Sequence, residues 1–343
     1  MNVVVASDRV PSSPDGAQHV ELGCSPRARL VVAVAVAAAA FGLALTFRLV
    51  LKQESSDFDQ IVVGARRLLA GLSPYTRTAL PGLEWPIYYP IPALIIGMPF
   101  AALPIAWAHA LFCGISGGLF AWAASADGDA KLFGLFTWPF VLTVSLGQWS
   151  PLLMASATLP ALGWVSILKP NIGFAIAVGY GDTWIRGRMR WLNLGIAAAL
   201  LTVSFIVRPV WLGEWISTLR QPKPHIITPL AVLGGPLLLV ALIRWRRPEA
   251  RFLAALACVP QTFSSYDSFL LFLTVRTRPQ ALFLVAATTA VTAVIGVVGP
   301  AATYAQTVQR FAPIRVALVY LPALAMIILE PNRSPRLGSF GRH

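Results

Sequence analysis

Residues 53 to 59 read Gln-Glu-Ser-Ser-Asp-Phe-Asp and follow directly on an apolar run, Leu30–Leu51. Acids are scarce in this chain, 14 Asp and Glu among 343 residues, so Glu54, Asp57 and Asp59 together at the end of such a run ask for a chemical reason. A carboxylate at a water–lipid boundary can take a proton from a hydroxyl if it stays ionised and lies within hydrogen-bond reach. Ser56 and Asp59 have the serine-x-x-acid spacing of a capping box. That spacing uses Asp59 and leaves Asp57 free at the first helical position, where the helix dipole favours charge. Asp57 is therefore the candidate general base. Asp59 is either the cap or a further substrate-binding acid, and Glu54 belongs in solvent or among headgroups.

Other residues could complete a site. Lys169, in Leu168-Lys169-Pro170-Asn171, sits between apolar runs. A lysine at membrane depth costs roughly 2.5–3.5 kcal/mol on insertion scales, so it is either a ligand for an anionic group such as phosphate or a side chain snorkelling from a short helix end. Gln148, between Gly147 and Trp149, can bond a sugar hydroxyl or be an ordinary loop residue. Asp267, in Ser264-Ser265-Tyr266-Asp267, either orients a substrate beside Asp57 or caps the helix that follows. The aromatics of Trp85-Pro86-Ile87-Tyr88-Tyr89-Pro90, Tyr89 above all, suit a sugar ring or an interfacial belt, and Tyr266 joins them as a candidate. Arg48 and Lys52 are secondary phosphate candidates, otherwise lipid anchors. Three cysteines (Cys24, Cys113, Cys258) and four histidines are scattered, with neither a disulfide framework nor a zinc spacing. A protein-built metal site is not expected, although Asp57, Asp59 and Asp267 could share a divalent cation if folding brings them together.

The elements that must position these groups are membrane helices. Hydrophobic residues make up 57% of the chain and charged ones 12%, and the mean hydropathy is +0.69. A soluble domain carries about a quarter charged residues. Apolar runs recur from residue 30 to residue 330, and the first is long enough for a bilayer core, which needs about 20 residues. It reads as an anchor, since a mixed segment containing Asp8, Asp15 and Glu21 precedes it where a signal peptide would have a short basic one. The net charge of +13 comes largely from clusters at Arg186–Arg190, Arg244–Arg251, Arg276–Arg278 and Arg333–Arg342. These lie between or beyond the apolar runs, so they point to cytoplasmic segments and anionic lipid, with no nucleic acid as partner.

The expected fold is an all-α polytopic membrane bundle of about nine to twelve transmembrane helices. Several are short or broken by Pro139, Pro151, Pro160, Pro170, Pro209 and Pro260. Broken helices are tolerated only where freed backbone groups face protein or a wet cavity, so a cavity within the membrane is expected. Residues 1–29 form a cytoplasmic tail, 30–330 the membrane domain with a first external loop at 52–87, and 331–343 a basic cytoplasmic tail. In the second half the basic clusters alternate consistently and place Gln261–Asp267 outside. Between 105 and 180 the parity of crossings does not close. In the first loop Phe58, Ile61, Val62, Ala65, Leu68 and Leu69 share one helical face, with Gly71 as the stop. That amphipathic helix is expected to lie on the membrane surface.

The order of the motifs carries a resemblance. Asp57-Phe58 opens the amphipathic helix; Gly71-Leu72-Ser73-Pro74-Tyr75, Tyr89-Pro90-Ile91-Pro92, Leu146-Gly147-Gln148-Trp149-Ser150, Leu168-Lys169-Pro170-Asn171 and Pro260-Gln261-Thr262-Phe263-Ser264-Ser265-Tyr266-Asp267 follow. This series, over about residues 55–270, resembles glycosyltransferase family 87, membrane glycosyltransferases of the GT-C fold whose members are polyprenyl-phosphate-mannose-dependent α-mannosyltransferases. The resemblance implies a bundle in the bacterial plasma membrane with its site on the external face. It implies a sugar donor on a polyprenyl phosphate, a lipid or cell-envelope glycan as acceptor, and inverting transfer with Asp57 as base. Lys169 would meet the phosphate, and Gln148, Asp267, Tyr89, Tyr266 and Asp59 would bind substrate. No cofactor beyond the donor is implied, and a bridging divalent cation stays open. Two other classes remain: a transporter or flippase, which broken helices and membrane-level charges also suit, and a non-catalytic relative of the enzyme.

Overall fold

The computed structural model describes residues 25–76, 80, 82–83, 85–221 and 225–330. Most of the 1–29 tail, with Cys24, and the 331–343 tail lie outside the described residues. The described chain is helical, and its one β feature is an isolated bridge between Ile227 and Gln261. In order come α1 (Pro26–Leu45, continued by a π turn to Val50), α2 (Asp57–Leu69), α3 (Ile91–Gly97), α4 (Ile105–Ala124), α5 (Trp138–Ser145), α6 (Ser150–Thr158), α7 (Pro170–Tyr180), α8 (Gly187–Val207), α9 (Trp211–Leu219), α10 (Pro248–Cys258), α11 (Arg278–Val298), α12 (Tyr304–Arg315) and α13 (Leu321–Leu329). Tighter 3-10 stretches at Pro160–Ile167, Gly235–Arg244 and Ser265–Thr274 carry further apolar sequence.

Among the described residues five helical stretches are long and apolar enough to cross a membrane: Pro26–Val50, Ile105–Ala124, Gly187–Val207, Arg278–Val298 and Tyr304–Leu329. The protein is a helical integral membrane protein. The expected nine to twelve crossings come down to five, or six if α5 and α6, bent by 114° against each other, count as one. The reason is local. Proline opens α5, α6, α7 and α10 within their first two positions, so each apolar run restarts where a span would have continued. An 11-residue helix such as α7 or α10 reaches only about half of a hydrocarbon core of roughly 30 Å.

Side-chain contacts fix two ends. At one, Arg251 donates to Val178 O, Gly179 O and Asp182, Arg276 pairs with Glu249, Arg247 with Glu330 and Arg278 with Asp129. Arg29, near the start of α1, reaches Trp122 O near the end of α4 at 2.9 Å. At the other end Gln53 meets Ser145 O, the Asp57 amide meets Leu146 O, and Asn171 meets Pro260 O, each at 2.9 Å. Thr158 returns to Asp127, and Asn193 at the start of α8 holds Pro160 O. The chain between 105 and 180 therefore makes two half-length hairpins rising from the charged end: α5 with α6, turning at Gly147-Gln148, and Pro160–Ile167 with α7, turning at Lys169. This is the parity that hydropathy alone leaves open. A third hairpin, α10 with Ser265–Thr274, turns at Pro260–Ser264.

The long helices hold these hairpins. α1 and α4 pack backbone to backbone: a Cβ on Gly118 would lie 3.0 Å from Ala37 Cβ, and one on Gly114 3.1 Å from Ala37 O. Small residues four apart permit such close approach in membrane helices. The apolar face of α2 meets protein, where its amphipathic pattern suggested a membrane surface. Phe58, Ile61, Val62, Ala65 and Leu68 are buried against protein, Phe58 stacking on Phe112 of α4 at 4.2 Å, and Arg66 is tied to Ala101 O and Leu103 O. An apolar helical stripe reads the same to lipid and to a neighbouring helix. The stop at Gly71 is realised: it has φ +71°, and the amides of Gly71 and Leu72 bond Leu68 O and Arg67 O in a Schellman closure.

Candidate active site

The N-terminus of α2 and the three hairpin turns meet at one cavity of about 760 Å³. Asp57 and Lys169, both half-buried, open onto it from opposite elements, and Tyr89 and Tyr266 are part of its wall. Between the two charges stands Gln148, which is 1% exposed. Its Nε2 donates to Asp57 Oδ2 in a short hydrogen bond, and its Oε1 accepts from Lys169 Nζ at 2.6 Å. A carboxylate has only acceptors and an ammonium only donors, so a carboxamide can bridge them in one orientation. Asp57, Gln148 and Lys169 thus form a single chain although they lie far apart in sequence.

Each member is positioned by backbone. The Asp57 amide bonds Leu146 O, which stitches the start of α2 to the turn carrying Gln148. That turn needs Gly147, whose φ is +61° and whose missing side chain leaves room for Phe58 and His109. Lys169 is the residue preceding α7 and gives that helix no side-chain cap. Its ammonium lies 5.8 Å from the Tyr89 ring centroid, within cation–π range. One N–H goes to Gln148, leaving two for a ligand. The amide end of α7 adds the positive pole of its dipole, and Lys169, Pro170 and Asn171 all line the cavity. Asp57 and Asp267 are the carboxylates whose charge acts on Lys169.

Asp59 and Asp267 take the capping role. Asp59 Oδ2 and Oδ1 accept from Ser56 N–H at 2.9 Å and Ser56 Oγ–H at 2.8 Å. Arg48 faces the same carboxylate at 3.0 Å, with the Asp59 side chain 1% exposed. Burial pushes the Asp59 carboxyl above its ordinary range, against the opposing pull of Arg48 and Ser56. Arg48 is therefore a partner of this acid, in place of the lipid anchor it resembled. Asp267 accepts from the Ser264 amide at 3.0 Å in a second capping box and is likewise behind the cavity wall. Among the described residues no three of His, Cys, Asp and Glu come together as a metal-holding group, so Asp57, Asp59 and Asp267 do not form one.

Sequence reasoning missed the outer part of the cavity. Trp215 and Leu219 of α9, and His225 beyond it, line the cavity too. Trp215 Nε1 donates to Tyr88 O at 2.9 Å, and the Tyr88 amide donates to Gln60 Oε1 at 3.0 Å. Their signal was available: an amphipathic helix follows α8 just as α2 follows α1, and both carry an acid in the first turn, Glu214 and Asp57. No family model, no curated protein and no solved structure matches this chain.

Proposed function

We propose that the protein is a membrane glycosyltransferase of GT-C type that moves a mannose-like sugar from a polyprenyl phosphate to a hydroxyl acceptor. Its site would face the exterior of a bacterial plasma membrane, opposite the arginine-rich end. The observation that carries the reading is the Asp57–Gln148–Lys169 chain at the edge of one cavity. It sets a base and a cation on a shared carboxamide, which suits a reaction that takes a proton at one point and creates negative charge at another.

The acceptor hydroxyl gives its proton to Asp57, whose Oδ2 is held by Gln148. The acceptor oxygen forms a bond to the anomeric carbon from the face opposite the phosphate. The bond from that carbon to the phosphate oxygen breaks, and the electron pair stays on the polyprenyl phosphate. Lys169 and the amide end of α7 meet that charge, and the sugar is inverted in one displacement. Tyr89 and Tyr266 form walls for the sugar. Leu142 and Leu146 offer apolar surface for the first isoprene units.

The test is transfer of labelled sugar from polyprenyl-phosphate-mannose to extracted envelope lipids and glycans by purified protein. Wild type should transfer and Asp57→Asn, folded to the same melting midpoint, should lose at least about a hundredfold. Undiminished transfer by Asp57→Asn would remove it as base. Absence of transfer by wild type across several donor sugars, with uptake of the same lipids into vesicles, would establish a transporter instead.

A further inference from the structure

The cavity has two chemically different ends. Two walls run outward, each stitched by hydrogen bonds. One starts at Asp57 and continues through Gln60 and the Tyr88 backbone to Trp215. The other starts at Lys169 and continues through Asn171, which bonds Pro260 O, to Gln261, whose backbone pairs with Ile227, two residues beyond His225. The walls close on an aromatic group: Trp85 and His225 have ring centroids 4.4 Å apart, and His225 and Tyr304 6.0 Å. All three rings line the cavity, so they are not explained as an interfacial belt, whose rings face lipid.

We propose that this outer end is a subsite for a sugar ring of the acceptor, with Trp85 as its stacking platform and Trp215, His225 and Tyr304 around it. It rests on the glycosyltransferase reading and narrows it: the acceptor is a glycan or glycolipid whose sugar enters the site, and the lipid-phosphate donor occupies the end at Lys169. The charge pattern separates the two. Among the described residues, and apart from His225, the polar side chains of the outer walls are uncharged amides and hydroxyls such as Gln60, Gln221, Gln261, Thr262 and Ser264. Such groups match the hydroxyl array of a sugar, and an aromatic face matches its C–H face. Among the described residues, a second phosphate would find no lysine or arginine in the lining there. The Trp215–Tyr88 hydrogen bond fixes the second indole, so the platform is held in shape before the ligand arrives.

The test is binding, without turnover. Saturation-transfer NMR on the full chain in nanodiscs would use a panel of methyl glycosides and disaccharides of the manno, gluco, galacto and arabino series. At least one series should bind, and Trp85→Ala should weaken it about tenfold. Asp57→Asn and Lys169→Gln should leave that binding within about twofold, whereas Lys169→Gln should abolish binding of decaprenyl phosphate. Trp85→Phe, which keeps a ring, should retain most of the saccharide affinity and guards against a folding artefact. No saccharide binding in any series, or equal binding by wild type and Trp85→Ala, would overturn the subsite. Loss of the decaprenyl phosphate arm alone would count against the donor assignment, so the two failures are told apart.

Discussion

Gly147→Ala tests the turn on which the site depends. A residue with a Cβ at φ +61° incurs about 1–2 kcal/mol of backbone strain. The added carbon would also lie 2.6 Å from Phe58 Cβ and 3.1 Å from both Cδ2 and Nε2 of His109. The first distance is about 1 Å short of ordinary carbon–carbon contact. Neither neighbour can retreat: the Phe58 ring is stacked on Phe112, and fully buried His109 donates from Nε2 to Val144 O at 2.8 Å. Overpacking of this kind costs about 1–3 kcal/mol more. Because the clash is with a Cβ close to the α2 backbone, relief must move the first turn of α2 or the turn carrying Gln148. Either changes the Asp57–Gln148 contact, and a misplacement of about 1 Å lowers a catalysed rate about a hundredfold. Gly71→Ala is the control, with φ +71° and nothing within 4 Å of the added carbon. Melting followed by tryptophan fluorescence in detergent should rank wild type above Gly71→Ala and Gly71→Ala above Gly147→Ala. Sugar transfer should fall only in Gly147→Ala. Equal melting of the two variants with undiminished transfer would refute the packing argument.

Two further predictions follow from the charged groups. Arg48→Leu leaves the Asp59 carboxylate buried without its cation, a change that costs about 3–5 kcal/mol when the acid stays ionised. Asp59 already binds its proton more readily in the folded state, so folding is favoured at pH values low enough to protonate it and loses that contribution as pH rises through its folded value. The melting deficit of Arg48→Leu should therefore shrink at pH 5 relative to pH 8, and a deficit that does not change with pH would mean that Asp59 is not its source. Gln148→Glu keeps size and shape but sets a carboxylate against Asp57. It should reduce sugar transfer about a hundredfold, and transfer equal to wild type would mean that the amide donor to Asp57 is not needed.

The sequence made α2 legible nearly residue by residue, because capping and stop signals are local. Ser56 and Asp59 close the start, and Gly71 closes the end where a positive φ is needed. α4 is a plain span by composition, since nothing in Ile105–Ala124 interrupts it. The number of crossings was not legible from hydropathy, which measures how apolar a run is and not where it folds back. The information was in the prolines at 139, 151, 160, 170 and 260 and in Gly147, each placed where an apolar run restarts. The environment of α2 was hidden for a related reason: a stripe of Phe58, Ile61 and Leu68 does not say whether lipid or α4 covers it. Asp57, Gln148 and Lys169 were chosen singly, for charge, capping logic and motif order. That they touch is a tertiary fact, set by the Asp57–Leu146 backbone bond and the stacking of Phe58.

The half-length hairpins explain why polar chemistry can exist at this depth. A helix that crosses the whole bilayer bonds its backbone internally and exposes ends only at the two surfaces. A helix that stops halfway brings an end, with free amides and an altered chain direction, into the hydrocarbon zone, and those groups must meet protein, water or ligand. Here the turn after α5, the start of α7 and the turn after α10 all arrive at one cavity, and α2 adds its own N-terminus. Two of these four entries carry a Ser-x-x-Asp box, at Ser56–Asp59 and Ser264–Asp267, so their amide ends are satisfied from within. The start of α7 has no such side chain, and Lys169 stands there in place of an acid. An uncapped helix start with a lysine attracts an anion, whereas the two capped starts do not need one. On the glycosyltransferase reading proposed above, the asymmetry among the four ends would put the phosphate at α7 and leave Asp57, the acid of its box that does no capping, for the proton.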